Sequence, residues 1–106
     1  MRVRYGVESM ATERYHPLVA DDLVDACRYF DAMGSQVGNR FRKQVRESIA
    51  AINERPESFG RIGSDYRGAL VQGFPYVIVF IEENQTVTIY GIRHAASDRG
   101  DWFARG

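Results

Sequence analysis

Apolar residues recur at helical spacing from Leu18 to Met33, where Val19, Leu23, Ala26, Cys27 and Phe30 form one stripe. Asp21, Asp22, Asp25, Arg28 and Asp31 lie largely elsewhere on the cylinder, so the pattern predicts an amphipathic helix. Pro17 suits its first position, because the amide proton that proline lacks has no helical partner there in any case. Asp21 and Asp22 complement the positive end of the helix dipole. Gly34 supplies a permissive break, and Ser35 offers a hydroxyl as N-cap. Val37, Phe41, Val45, Ser48, Ile49 and Ile52 then make a second, longer stripe. It should stop shortly before Pro56, since a residue preceding proline is pushed out of the α region. The short connection predicts an antiparallel helical hairpin.

After Pro56 the period changes. Gly60, Gly63 and Gly68 punctuate a loop, and Ala69 to Val71, Tyr76 to Ile81 and Thr86 to Ile92 read as strands. Glu82, Glu83, Asn84 and Gln85 form a polar connection of hairpin length, so the last two strands should be antiparallel. In the strand beginning at Tyr76, Tyr76, Ile78 and Phe80 point to one face and Val77, Val79 and Ile81 to the other. Both faces are apolar. A helical hairpin covers only one, so the other needs a terminal segment or a partner chain. Of the two candidate N-terminal strands, residues 1–9 and 10–16, the second is favoured. Ser97 to Arg105 suits a short amphipathic helix that tucks Trp102 or Phe103 against the sheet.

These elements describe an α+β domain, a helical hairpin packed on a small antiparallel sheet in the order β-α-α-β-β-β with a short C-terminal helix. Residues 10–106 form this single domain, and residues 1–9 an extension that is either disordered or an extra strand; Met10 is an alternative start. With 14 basic and 14 acidic residues the formal charge is zero, so no global electrostatic footprint for nucleic acid or an anionic membrane exists. The lone Cys27 excludes an internal disulfide and reads as a small core residue, and the two separated histidines make no zinc site. The longest nearly apolar run, Phe74 to Ile81, is far short of the roughly 20 residues that span a bilayer, and the N-terminus lacks the apolar stretch of a signal peptide. A cytoplasmic location is expected, with no cofactor, no metal and no membrane contact.

Tyr15, His16 and Pro17 before the first helix, Tyr29 and Phe30 late in it, Phe41 in the second and Pro56 at its exit form a set of landmarks. Phe74, Pro75 and Tyr76 lead into the third strand, and Arg93, His94, Asp98, Trp102 and Arg105 follow the last. This order of elements and residues resembles the RelE/ParE toxin superfamily of type II toxin–antitoxin systems, over roughly residues 12 to 105. The end pattern with Asp98 and Trp102 is nearer the ParE branch. The chain departs from the superfamily at Ser97, where an arginine is common, and at Arg99, where a proline is common.

The resemblance implies a growth-inhibiting toxin neutralised by a cognate antitoxin, with no sequence-specific DNA contact of its own. ParE-like members bind DNA gyrase and block it; RelE-like members cut messenger RNA in the ribosomal A site. Cleavage through a 2′-hydroxyl needs a general base, a general acid and cations around a phosphorane-like transition state, without any metal. Arg61, Arg67, Arg93 and His94 are the plausible set for it. Ribonuclease members tend to be markedly basic, whereas this chain is neutral. If the protein acts by binding, Arg93, His94, Trp102, Arg105 and Tyr76 are the expected contacts with partner or target. The structural alternative for Arg93 and His94 is to bond the terminal segment or pair with Asp98. Trp102 reads first as an anchor for the terminal helix, and His16 as a cap or turn residue. Arg42, Lys43 and Arg46, with Arg40 nearby, form a basic stretch that a solvated helix face explains.

Overall fold

The computed structural model describes residues 12–63, 65–97 and 99–104. Strand β1 (Thr12–Tyr15) leads into helices α1 (Val19–Asp31) and α2 (Ser35–Glu54). A 3-10 turn at Pro56–Ser58 follows, then β2 (Arg67–Leu70), β3 (Tyr76–Glu83), β4 (Thr86–His94) and a single turn of helix, α3 (Arg99–Trp102). The sheet order is β1-β4-β3-β2. As expected, β2, β3 and β4 are antiparallel neighbours. β1 departs from that pattern: it joins β4 in parallel, with Thr12 opposite Thr86 and Tyr15 opposite Ile89. Parallel entry is open to it because the whole helical hairpin and two strands lie between the pair as a crossover.

β1 ends where Pro17 removes the next amide donor. The His16 amide still donates to the Ile89 carbonyl at 2.8 Å, and the chain then turns away into α1. Pro17 sits in that turn and not in the first helical position, because α1 begins only at Val19. The His16 ring secures the turn by accepting the Leu18 amide proton on Nδ1 at 3.1 Å. At the other end of α1, Gly34 adopts φ 138°, a conformation that favours glycine, and takes the N-cap position of α2. Ser35, expected to cap α2, is therefore its first helical residue and makes no capping bond. Gly38 lets the two helices close up: an ideal Cβ there would lie 1.7 Å from Asp31 Oδ1. The space is used by a two-pronged bond from Arg42 to Asp31, at 3.0 and 2.6 Å, which turns part of the basic stretch inward to its partner helix. The guanidinium holds the Asp31 carboxyl below its usual range, so the pair's contribution to stability is present at neutral pH and lost as pH falls through that lowered value.

Two apolar clusters sandwich the sheet. On the helical side, Val19, Ala26, Cys27, Phe30, Phe41, Val45 and Ile52 pack on Ile78, Phe80, Val87, Ile89 and Ile92. On the other side, Val77, Val79, Tyr90 and Trp102 are buried beneath Ile62, Tyr66, Ile81 and Phe103. The second face of β3 is therefore covered by the terminal segment together with Ile62 and Tyr66. Phe103 stacks on Tyr66 at 4.3 Å and lies against Gly63, where a Cβ would come within 2.9 Å of its ring. No helix among the described residues is long and apolar enough to cross a membrane.

A bulge in β4 sets the geometry of its end. Val79 pairs with Gly91 but Phe80 pairs with Ile89, so Tyr90 is an extra residue on β4. Strict alternation from Ile89 would turn Gly91 and Arg93 toward the helices. The extra residue shifts the phase, so that Ile92 joins the helical core and His94 lies opposite Tyr76 at its margin.

Candidate functional site

The rephased end of β4, the start of β3 and the first two turns of α1 enclose a cleft lined by Asp22, Asp25, Tyr76, Arg93, His94 and Ser97. Tyr76 and His94 are a cross-strand pair whose rings meet edge to face at 5.2 Å. Tyr76 is steadied from beneath by Phe30 and Phe41, at 5.7 and 5.4 Å between ring centroids. Its hydroxyl is pushed above the usual tyrosine pKa, first by burial and then by the neighbouring Tyr29 and Asp25, so it remains a protonated donor at neutral pH.

His94 is exposed, and its Nδ1 accepts the Ala96 amide proton at 3.0 Å. That bond occupies Nδ1, and Nε2 makes no hydrogen bond among the described residues. The His94 carbonyl accepts from both the Ser97 amide, at 3.0 Å, and the Ser97 hydroxyl, at 2.6 Å. Ser97 Oγ in turn accepts the indole proton of Trp102 at 2.6 Å. The residue that departs from the family pattern thus ties the end of β4 to the terminal helix.

Asp22 is the other organising residue. β1 pairs with β4 only as far as Ile89, so the later part of that β4 edge has no strand beside it among the described residues. The Asp22 carboxylate accepts the Ile92 amide proton at 3.0 Å and faces Arg93 Nη1 at 3.8 Å. Both side chains are mostly buried, with 11% of Asp22 and 20% of Arg93 exposed. Replacing Asp22 by alanine removes a charged acceptor from a part-buried amide and leaves Arg93 without this counter-charge. We expect a loss of about 2–3 kcal/mol in urea unfolding. Asp22→Asn, which keeps an acceptor for Ile92, should lose markedly less; equal losses would dismiss the amide bond as the source.

The sequence-derived residues divide between two regions. Tyr76, Arg93 and His94 meet in the cleft. Arg67 instead donates to the Phe59 carbonyl at 2.6 Å, and Arg61 forms an isolated bridge with Arg67. Arg67 pairs opposite Phe80 and Arg93 opposite Val77, on strands flanking β3 from opposite sides. Their backbones are therefore roughly 10 Å apart along the sheet and roughly 10 Å apart across it. The four residues considered for RNA cleavage do not converge in this arrangement. Trp102, considered also as a contact, is 1% exposed and anchors the terminal turn. Arg105 and Asp98 lie outside the described residues. Asp22, Asp25 and Ser97 were not singled out for the site from sequence: two acids in the first turns of a helix read as dipole partners, and nothing local tells that one of them reaches β4.

A helical hairpin over a four-stranded sheet, with a cleft of mixed charge and aromatic rings at the end of β4, fits the class of small toxins to which the landmarks pointed. Residues 14–99 match the family described as the ParE toxin of the type II toxin-antitoxin system, parDE. The chain belongs to that family, and membership implies an antitoxin partner. Among solved structures, a chain from the chromosomal ParDE TA system from P. aeruginosa superposes with a TM-score of 0.71 at 14% sequence identity. The match covers 82% of this chain and 98% of that chain, and at this identity it speaks for the fold alone. No curated protein matches the sequence.

Proposed function

We propose that this ParE-family protein arrests growth by binding a cytoplasmic target, with DNA gyrase as the target its family resemblance nominates, and that a cognate antitoxin neutralises it. The observation that carries a binding mode over RNA cleavage is the pairing of Arg93 with Asp22 in a cleft that also holds Asp25. A phosphorane needs several cations aimed at it without adjacent carboxylates. Here the two remaining arginines of the candidate set stand across β3 from the cleft, at β2 and the bridge beside it. The flank of α1 beside the cleft also supports a protein partner. Tyr29, one turn beyond Asp25, is 58% exposed there, an aromatic surface that an antitoxin helix or strand can cover.

Expressed alone in bacteria, the protein should stop growth, and co-expression of the antitoxin encoded beside it should restore it. Purified toxin should inhibit gyrase supercoiling and leave translated messages intact. Full expression with normal growth would refute the toxic role. The ribonuclease reading keeps one observation in its favour, the exposed His94 ring, whose Nε2 is left unbonded among the described residues and has the chemistry to move a proton. Codon-phased cleavage in primer extension, abolished by replacing Arg93 and His94 together, would establish that reading in place of the gyrase one.

A further inference from the structure

We propose that the cleft between α1 and the end of β4 is a subsite for an arginine side chain of a partner protein. The inference deepens the reading above and rests on it, since it names the chemical group that the binding surface takes. The cleft is about 210 Å³, enough for a side-chain head and part of its stem. Its two carboxylates differ in kind. Asp22 is committed to the Ile92 amide and to Arg93, whereas Asp25 is exposed and makes no ion pair or hydrogen bond among the described residues. Arg93 and Asp22 offset each other, so the charge left to face an incoming group is the negative charge of Asp25.

Around that carboxylate stand aromatic rings. Tyr76 and His94 form one wall, held at right angles to each other, and Tyr29 lies one helical turn beyond Asp25 on the same side of α1. Rings about an unpaired carboxylate favour a cation, which gains both the ion pair and the ring quadrupole. An anionic group suits the cleft poorly. Arg93 already faces Asp22, and an anion that drew it away would strand a mostly buried carboxylate. Between the two cationic side chains, the planar guanidinium fits better than an ammonium, because it forks onto a carboxylate while its face lies on a ring.

The test uses the full chain, labelled with 15N and titrated with Nα-acetyl-arginine amide, while backbone signals are followed by NMR. Saturable shifts centred on Asp25, Tyr76 and His94 are expected, with a dissociation constant in the range of about 1–10 mM. The Asp25→Asn variant, exposed and isosteric, should bind about tenfold more weakly with its spectrum otherwise unchanged. Nα-acetyl-lysine amide should bind more weakly than the arginine compound, and Nα-acetyl-glutamate amide should give no saturable shift at these positions. No response to the arginine probe, undiminished binding by Asp25→Asn, or equal binding of the glutamate probe overturns the subsite. Lysine binding as tightly as arginine overturns the choice of guanidinium. Growth arrest and gyrase inhibition are read separately, so failure here is distinguishable from failure of the toxin reading.

Discussion

Phe41→Ala should lower the unfolding free energy by about 3–5 kcal/mol, a large share of the roughly 5–15 kcal/mol that holds a domain of this size together. The ring is fully buried, at 0% exposure, and lies at the centre of an aromatic group. Its centroid is 4.8 Å from Phe30, 5.1 Å from Phe74 and 5.4 Å from Tyr76. Truncation opens a cavity where α1, α2 and the approach to β3 meet, and their backbones cannot close it without separating the hairpin from the sheet. Phe41→Leu, which keeps most of the volume, should cost about 1–2 kcal/mol. Urea melts with an unchanged slope measure both. Because Phe41 also supports the Tyr76 ring, the alanine variant should shift the NMR signals of Tyr76 and His94 under conditions where it is still folded. A loss below about 1 kcal/mol would mean that the aromatic group is not tightly packed in solution.

Trp102→Ala should have an effect of similar size but different character. The indole is 1% exposed and is the keystone of the cluster on the sheet's second face. Its removal deletes apolar contact worth about 3–5 kcal/mol in a fully cooperative structure. The segment that carries it is a terminal turn, however, and a terminal turn can detach without unfolding the rest. The expected outcome is undocking: Val77, Val79 and Tyr90 become accessible, an apolar dye binds, and amide protection falls in Ile62, Tyr66 and residues 99–104 before it falls in β3. Trp102 is the chain's single tryptophan, so in the parent protein its emission reports the same event without labelling. Uniform loss of protection across the sheet in the variant would show instead that both faces form one cooperative unit.

Much of this architecture was legible from periodicity. Helices and strands follow residues whose partners lie within a few positions or directly across a turn, and there the apolar spacing is decisive. The two apolar faces of β3 likewise announced that a terminal segment or a partner chain must cover the second face, and the structure fills it with the terminal segment through both Trp102 and Phe103. Three features escaped. Parallel entry of β1 depends on a partner some seventy residues away and leaves no local signature in four residues of strand. The bulge at Tyr90 is written in the sequence only as a break in phase, with apolar Val87 and Ile89 followed by Ile92, which a short window reads as ordinary scatter. Asp22 looked like a helix-dipole acid because its partner is the Ile92 amide, a backbone group that every residue possesses. The candidate site was legible as a list of types at the chain's end. Which of them meet was not, because Arg61 and Arg67 are separated from Arg93 and His94 by strand order, and strand order is a property of the whole fold.

The parallel ladder between β1 and β4 ties the first described segment to the last long one. A chain leaving the ribosome from its N-terminus can make α1 and α2 early, but β1 has no neighbour until β4 has emerged, and closing so large a loop is slow. The assembled cleft, which needs both α1 and the end of β4, comes into being only after β4 has been made. A chain that stops before β4 has α1 but neither the Ile92 amide nor the Arg93 side chain that Asp22 meets, so the acid that orders the cleft waits on a strand made some seventy residues after it.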